Sequence, residues 1–254
     1  MILLYDGSFE GFLSVIFECY AQKIAPENIC AEPDFQEQMF SPKLFIHTNP
    51  SHSFRVWKGW QTKLSTEMNQ LPFQAFLSNE PGMEMKLYRF AQIAFASTVL
   101  TEGNYGDPEI LAIRKAARRV MQEAMRMLQF VRFQLTKDNI YFSGIRPRYD
   151  VLPMTIQHFQ DRFADQQWIV YDMKRDYGFF YNLKTVEEIT LDEKAFNIQD
   201  GTVPSSVLQE GEANYQNLWK DYCKSITIKE RLNLKLQKQH MPKRYWKLLT
   251  EKKT

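Results

Sequence analysis

Ile140-Tyr141-Phe142-Ser143-Gly144-Ile145, the run from Pro153 to Phe163, Trp168-Ile169-Val170-Tyr171-Asp172 and Tyr177-Gly178-Phe179-Phe180-Tyr181-Asn182-Leu183 together decide the fold. The first, third and fourth pieces are short and rich in β-branched and aromatic residues, as strands are. Between the first two, Pro153 opens a helix that carries Ile156, Phe159 and Phe163 on one face, and Asp165-Gln166-Gln167 ends it. Met173-Lys174-Arg175-Asp176 separates the last two as the connection of a hairpin or of adjacent strands. The spacing predicts a βαββ block over 140–183 within an α+β protein.

Upstream of this block, Asp107-Pro108 supplies a favoured N-cap and a proline suited to the first helical position. Ile110, Ile113, Ala117, Val120, Ala124, Leu128, Val131 and Leu135 then recur every three or four residues, predicting one amphipathic helix of about 28 residues near 107–136. Its other side carries Arg114, Lys115, Arg118, Arg119, Gln122 and Arg126, which read either as a solvated face or as a phosphate-contacting one. Further back, Met1 to Tyr5 reads as a strand, Asp6-Gly7 as a turn and Ser8 as the cap of a helix with Phe9, Phe12, Leu13, Ile16, Phe17, Tyr20 and Ile24. Leu44 to His47 is a second strand candidate. Asn49-Pro50 opens a helix whose apolar face is assigned to Phe54, Trp57 and Leu64 with Trp60 nearby, and Gln70 to Leu100 is helix broken at Asn79-Glu80-Pro81-Gly82. The division expected is an N-terminal α/β part over 1–103 and a C-terminal α+β domain with a basic tail over 104–254, one continuous globular unit being the alternative.

Downstream, Lys184 to Thr202 is mixed and acidic, an expected surface excursion, and helix resumes over Pro204 to Ser225. The last stretch gathers charge: Lys220 to Thr254 holds eleven Lys or Arg and three acids, in a chain whose net charge is only +2. Gathered positive charge points to a polyanion. Trp219, Tyr222, Tyr245 and Trp246 interleave with it and either stack on bases or pin the segment to a core, and pinning is the commoner role for a Trp beside a Tyr in a terminal helix.

The 254 residues, 44% hydrophobic, suffice for a large core, and no run approaches the roughly 20 apolar residues of a membrane helix. With no basic-flanked secretory leader at Met1 to Ser8, the expectation is a cytoplasmic protein. The cysteines, Cys19, Cys30 and Cys223, lack the close spacing that holds structural zinc or a radical-SAM iron–sulfur cluster, so no metal or cofactor is expected in this chain. GxGxxG, GxxxxGK[ST], HExxH and GxSxG are all absent. His47 and His52 read as polar loop residues, and Asp6 is a weak metal-site candidate that serves equally well in a turn.

One constellation suits chemistry. His158 and Arg162 share a helix face, and Arg146, Arg148, Asp172 and Arg175 surround the same block. Forked arginines with a histidine able to move protons near neutral pH suit a phosphate-bearing substrate. Alternatively, Arg162 pairs with Asp161, Asp165 or Asp172 to tie helix to strand. Convergence of His158, Arg162, Asp172 and Arg175 on an open concave pocket would favour an enzyme, and their consumption in buried Arg–Asp pairs would disfavour it.

Tyr5 to Gly11, His158 to Phe163 with Trp168 to Arg175, and Met241-Pro242-Lys243-Arg244-Tyr245-Trp246 together resemble the bacterial family called probable DNA metabolism protein, whose C-terminal part is domain of unknown function 4130. The resemblance implies DNA repair or modification beside a radical-SAM protein, which would carry the iron–sulfur cluster and S-adenosylmethionine. It brings no catalytic residue with it. The reading is therefore a DNA-binding partner of that protein, with Lys235, Lys238, Lys243, Arg244 and Lys247 on phosphates and Arg118, Arg119 and Arg126 as a second patch. The alternatives are an enzyme acting on damaged or modified DNA through His158, Arg162, Asp172 and Arg175, and a scaffold for the radical-SAM protein without DNA contact. The Gly-Gln-Asp-Pro-Tyr loop and helix-hairpin-helix of familiar glycosylases are missing.

Overall fold

The structure is a computed structural model that describes residues 1–36, 42–66, 68–97 and 106–253. It is α+β and divides into two compact units, Met1–Met121 and Gln122–Thr254. The division falls inside a helix, whereas the 103/104 boundary expected from sequence lies outside the described residues.

In the first unit the wholly buried strand β1 (Ile2–Tyr5) lies between two parallel neighbours, β2 (Asn28–Ala31) and β3 (Lys43–Phe45). A strand covered on both faces is apolar at every position, which is how Ile-Leu-Leu-Tyr reads. Gly7 turns the chain at φ +86°, and Ser8 Oγ accepts from Gly11 N at 2.9 Å to start α1 (Phe9–Ala21). Asn49 Oδ1 accepts from Ser51 N and His52 N to start α2 (Pro50–Lys63). The face of α2 differs from expectation: Ser53, Val56 and Trp60 are buried, and Phe54 is 65% exposed. Trp60 and Leu64 are buried as expected, but the row that starts at Ser53 faces inward in place of the row that starts at Phe54; both have three-and-four spacing, so periodicity alone does not choose between them. The two pieces after it are α3 (Leu71–Phe76) and α4 (Met83–Ala96), and Thr98 to Leu100, expected as helix, lie outside the described residues. Strand β2 was not anticipated, since Asn-Ile-Cys-Ala is too short to stand out. Cys19 is buried in the core, which pushes its thiol up to about 11.

Asp107 Oδ1 accepts from Glu109 N and Ile110 N, and α5 runs from Pro108 to Phe130. The apolar period continues to Leu135, yet the helix stops short. Gln134–Leu135 instead form β4, paired antiparallel with β5 (Tyr141–Ile145), so strand pairing overrides a periodicity that Val131 and Phe133 support only weakly as helix formers. The second unit then contains the anticipated βαββ block: β5, α6 (Leu152–Arg162), β6 (Trp168–Asp172) and β7 (Tyr177–Tyr181), extended by β8 (Val186–Ile189). Sheet order is β4-β5-β6-β7-β8, with β5 and β6 parallel across α6 and the other pairs antiparallel. Trp168, Val170, Tyr171 and Phe159 are fully buried or nearly so. The acidic stretch is not merely an excursion, because Phe196 within it, with Val203 just after it, returns to pack on Phe142, Tyr171 and Met173. Helix also resumes later than expected, as α7 (Glu212–Ser225); Pro204 to Leu208 form a turn whose Leu208 bridges Thr136. Helix α8 (Leu234–His240) and short 3-10 turns at Lys243–Leu248 and Thr250–Lys252 follow. Among the described residues, no helix is long and apolar enough to cross a membrane.

Candidate nucleic-acid interface

The four expected catalytic residues fall into two groups, Asp172 with Arg175 and His158 with Arg162. Asp172 is fully buried at the end of β6, where Oδ1 accepts from Lys174 N at 2.8 Å and Arg175 N at 3.2 Å, and Oδ2 pairs with Arg175 Nη1 at 2.8 Å. It closes the β6–β7 turn. Arg175 Nη2 and Lys174 Nζ also donate to the Arg148 carbonyl, so both cations are drawn into the same local knot. His158 and Arg162 stand exposed on α6, and no hydrogen bond or ion pair among the described residues joins them to Asp172 or Arg175. Arg146 is exposed, and Arg148 lies over the Tyr149 ring. Asp150 completes the knot: Tyr177 OH donates to it at 2.5 Å, and burial holds its carboxyl above the usual range.

Asp6 is likewise spent on structure. Its Oδ1 accepts from Ser8 N and Ser8 Oγ, and its Oδ2 from Thr48 Oγ1 at 2.5 Å. Burial acts to raise this carboxyl, and the bonds from Thr48 and Ser8 outweigh it, leaving it below the ordinary value. Among the described residues no group of three His, Cys, Asp or Glu is placed to hold a metal ion.

The predicted phosphate contacts separate into two kinds. Lys235, Lys238, Lys243 and Lys247 are exposed and have no hydrogen bond or ion pair among the described residues. Arg244 is different: its Nη2 donates to Glu123 Oε2 at 2.5 Å, and its guanidinium lies 4.5 Å from the centre of the Tyr245 ring. Glu123, 1% exposed, also accepts from Tyr245 OH at 2.6 Å and from Arg148 N at 2.9 Å. This carboxylate, set among Val120, Ala124 and Met127 on the apolar stripe of α5, anchors the tail. An acid inside an apolar stripe is the signal by which it was findable, since burial obliges it to have cationic or hydrogen-bonding partners. Tyr245 is buried, and Trp246 Nε1 donates to the Met241 carbonyl at 2.9 Å. Of the second patch, Arg118 is exposed, Arg119 is engaged by both oxygens of Glu80, and Arg126 lies 3.9 Å from Glu123.

Beside this segment, α7 turns aromatic rings outward: Tyr215 is 71% exposed, Tyr222 54% and Trp219 39%. Trp219 is held in place. Its Nε1 donates to Glu251 Oε2 at 2.9 Å, and Arg132, which pairs with Glu251 at 2.8 Å, sits 5.4 Å from the ring centre. Burial acts to raise the Glu251 carboxyl, and the bonds from Arg132 and Trp219 bring it below the ordinary value. Sequence reading noticed Trp219 and Tyr222 but missed Tyr215 and Arg132, whose relation to one another is tertiary.

An α+β unit with an anchored tail of exposed lysines is thus the class of protein that the fold and surface define. The chain belongs to the family described as a domain of unknown function, DUF4130, whose model matches residues 81–251. The second and third stretches of the resemblance lie in that range and Tyr5 to Gly11 lies outside it. No curated protein matches the sequence significantly. A solved structure described as a DHH-domain member of the s1p family of ribosomal proteins is similar over 70% of this chain and 73% of its own, at 10% identity. Its TM-score of 0.28 is too low to support an argument.

Proposed function

We propose that the protein binds DNA through its C-terminal segment, as the DNA-engaging partner of a radical-SAM protein in DNA repair or modification. One observation carries this reading: Lys235, Lys238, Lys243 and Lys247 have no counter-ion among the described residues, while the neighbouring Arg244 and Tyr245 are tied to a buried carboxylate. Unspent cations on an anchored segment suit a phosphate backbone, where neutralising charge releases counter-ions. The resemblance to the DNA metabolism family supports the process and the partner. The rival enzyme reading retains His158 and Arg162 as exposed groups, but Asp172 and Arg175 already satisfy each other.

The test is a duplex-binding titration by fluorescence anisotropy at several salt concentrations. Affinity is expected to fall steeply with salt, and Lys235→Gln, Lys238→Gln, Lys243→Gln and Lys247→Gln combined should weaken binding and flatten the log–log slope by roughly 3 to 4. An affinity indifferent to salt and to these substitutions would sink the proposal. Product formed by the chain alone on a damaged oligonucleotide would favour the enzyme instead, and co-purification with the radical-SAM protein tests the partnership.

A further inference from the structure

The cavity beside α7 has about 620 Å³ of space, within the range of small-molecule sites, roughly 300–1,000 Å³. Phe133, Tyr141, Tyr215 and Trp219 give it aromatic walls. Its polar lining combines three side-chain amides, Gln129, Gln209 and Gln216, with Arg132, Glu212 and Thr250. Resting on the DNA-binding reading, we infer that this cavity receives a single unstacked nucleobase from nucleic acid held by the C-terminal segment.

Charge and chemistry restrict the occupant. Among the described residues the one cation lining the cavity, Arg132, is paired with Glu251, and Glu212 adds a carboxylate, so the site does not suit a phosphate. Glu212 accepts from Gln216 Nε2 at 3.0 Å, so the amide keeps its carbonyl oxygen for a ligand. Gln209 Nε2 donates to Asn139 at 3.3 Å, and Gln129 has no side-chain bond among the described residues. An amide offers a donor and an acceptor side by side, the pattern that matches the edge of a base. The rings supply the other half of recognition, since a flat heterocycle stacks on an aromatic face whatever its sequence context. Trp219 is fixed by Glu251 and already meets Arg132 at 5.4 Å and the Tyr222 ring at 5.7 Å, so it serves as a rigid wall and the stacking face falls to Tyr215. Tyr215 lines the cavity and is mostly exposed, so its ring is open to a base.

Three duplexes that differ at one central position, carrying a paired base, an unpaired base or an abasic site, test the inference by anisotropy. The wild type should bind the unpaired-base duplex at least about fivefold more tightly than the abasic one, the lower end of what stacking contributes. Tyr215→Ala with Gln216→Ala should bring that ratio to one, and Tyr215→Phe should preserve it; thermal unfolding verifies that the variants fold. The lysine substitutions should weaken all three duplexes alike and keep the ratio. Equal affinities of the wild type for unpaired and abasic duplexes would overturn the base site while leaving salt-dependent DNA binding standing. Absence of any salt-dependent binding would overturn both. Loss of a homodimer on Tyr215→Ala, seen by light scattering with no change in the ratio, would reassign the face to self-association.

Discussion

The β6–β7 turn and helix α7 are both rich in cations and rings, yet they use them in opposite ways. At the turn, Asp172 takes two backbone N–H groups and Arg175, and the Arg148 carbonyl takes what is left of Arg175 and Lys174. Around α7 and the tail, a few buried contacts hold the frame while Tyr215, Tyr222, Lys235, Lys238, Lys243 and Lys247 remain exposed. The contrast teaches that a cluster of chemistry-bearing residues in sequence is informative only once the partners of each group are counted. A satisfied buried pair closes a turn; an anchored segment with unspent groups has something left to bind.

The largest effect should come from the anchor. Glu123→Ala leaves the buried Tyr245 hydroxyl and the Arg148 N–H without their acceptor and releases the half-exposed Arg244 to solvent, and should cost about 2–4 kcal/mol in urea unfolding. DNA affinity should fall with it, because the lysines lose their frame; unchanged stability would remove the anchor from the comparison. Asp172→Ala comes next, at about 2–3 kcal/mol, since it unpairs Arg175 and two turn N–H groups. If instead it abolished an activity without loss of stability, the turn would be a catalytic element and the contrast would break.

A smaller, pH-dependent effect belongs to Glu251. Its folded value lies below the unfolded one, so its contribution is complete above the unfolded value of about 4.3 and disappears as pH falls through the folded value. Thermal unfolding at pH 7 and pH 3 should therefore show a shallower acid loss in Glu251→Gln than in the wild type, with Asp6→Asn behaving alike through its Thr48 and Ser8 bonds. The smallest changes are His158→Ala and Arg162→Ala, each within about 0.5 kcal/mol because the side chains are exposed and have no hydrogen bond or ion pair among the described residues. A larger loss would show that α6 depends on them.

The βαββ block was legible because its strands are dense in aromatic and β-branched residues and its helix opens on a proline, both local signals. The caps at Ser8, Asn49 and Asp107 were readable for the same reason. The C-terminal end of α5 was not, since periodicity alone continues through Val131 and Leu135 and the competing pairing of β4 with β5 is a non-local event. Nor was the inward return of Phe196, within the acidic stretch, and of Val203, just after it.

The sequence by itself determined the α+β class, the principal helices and strands, and the concentration of positive charge after Lys220, because propensity, capping and composition act within a few residues. Only the tertiary structure decided which charges are available. Glu123 meets Arg244 across 121 residues and Arg132 meets Glu251 across 119, so no window on the chain could pair them. Burial then makes each pairing costly to leave unmade, and it is this cost that fixes Arg244 and Glu251 in the frame and leaves Lys235, Lys238, Lys243 and Lys247 outside it.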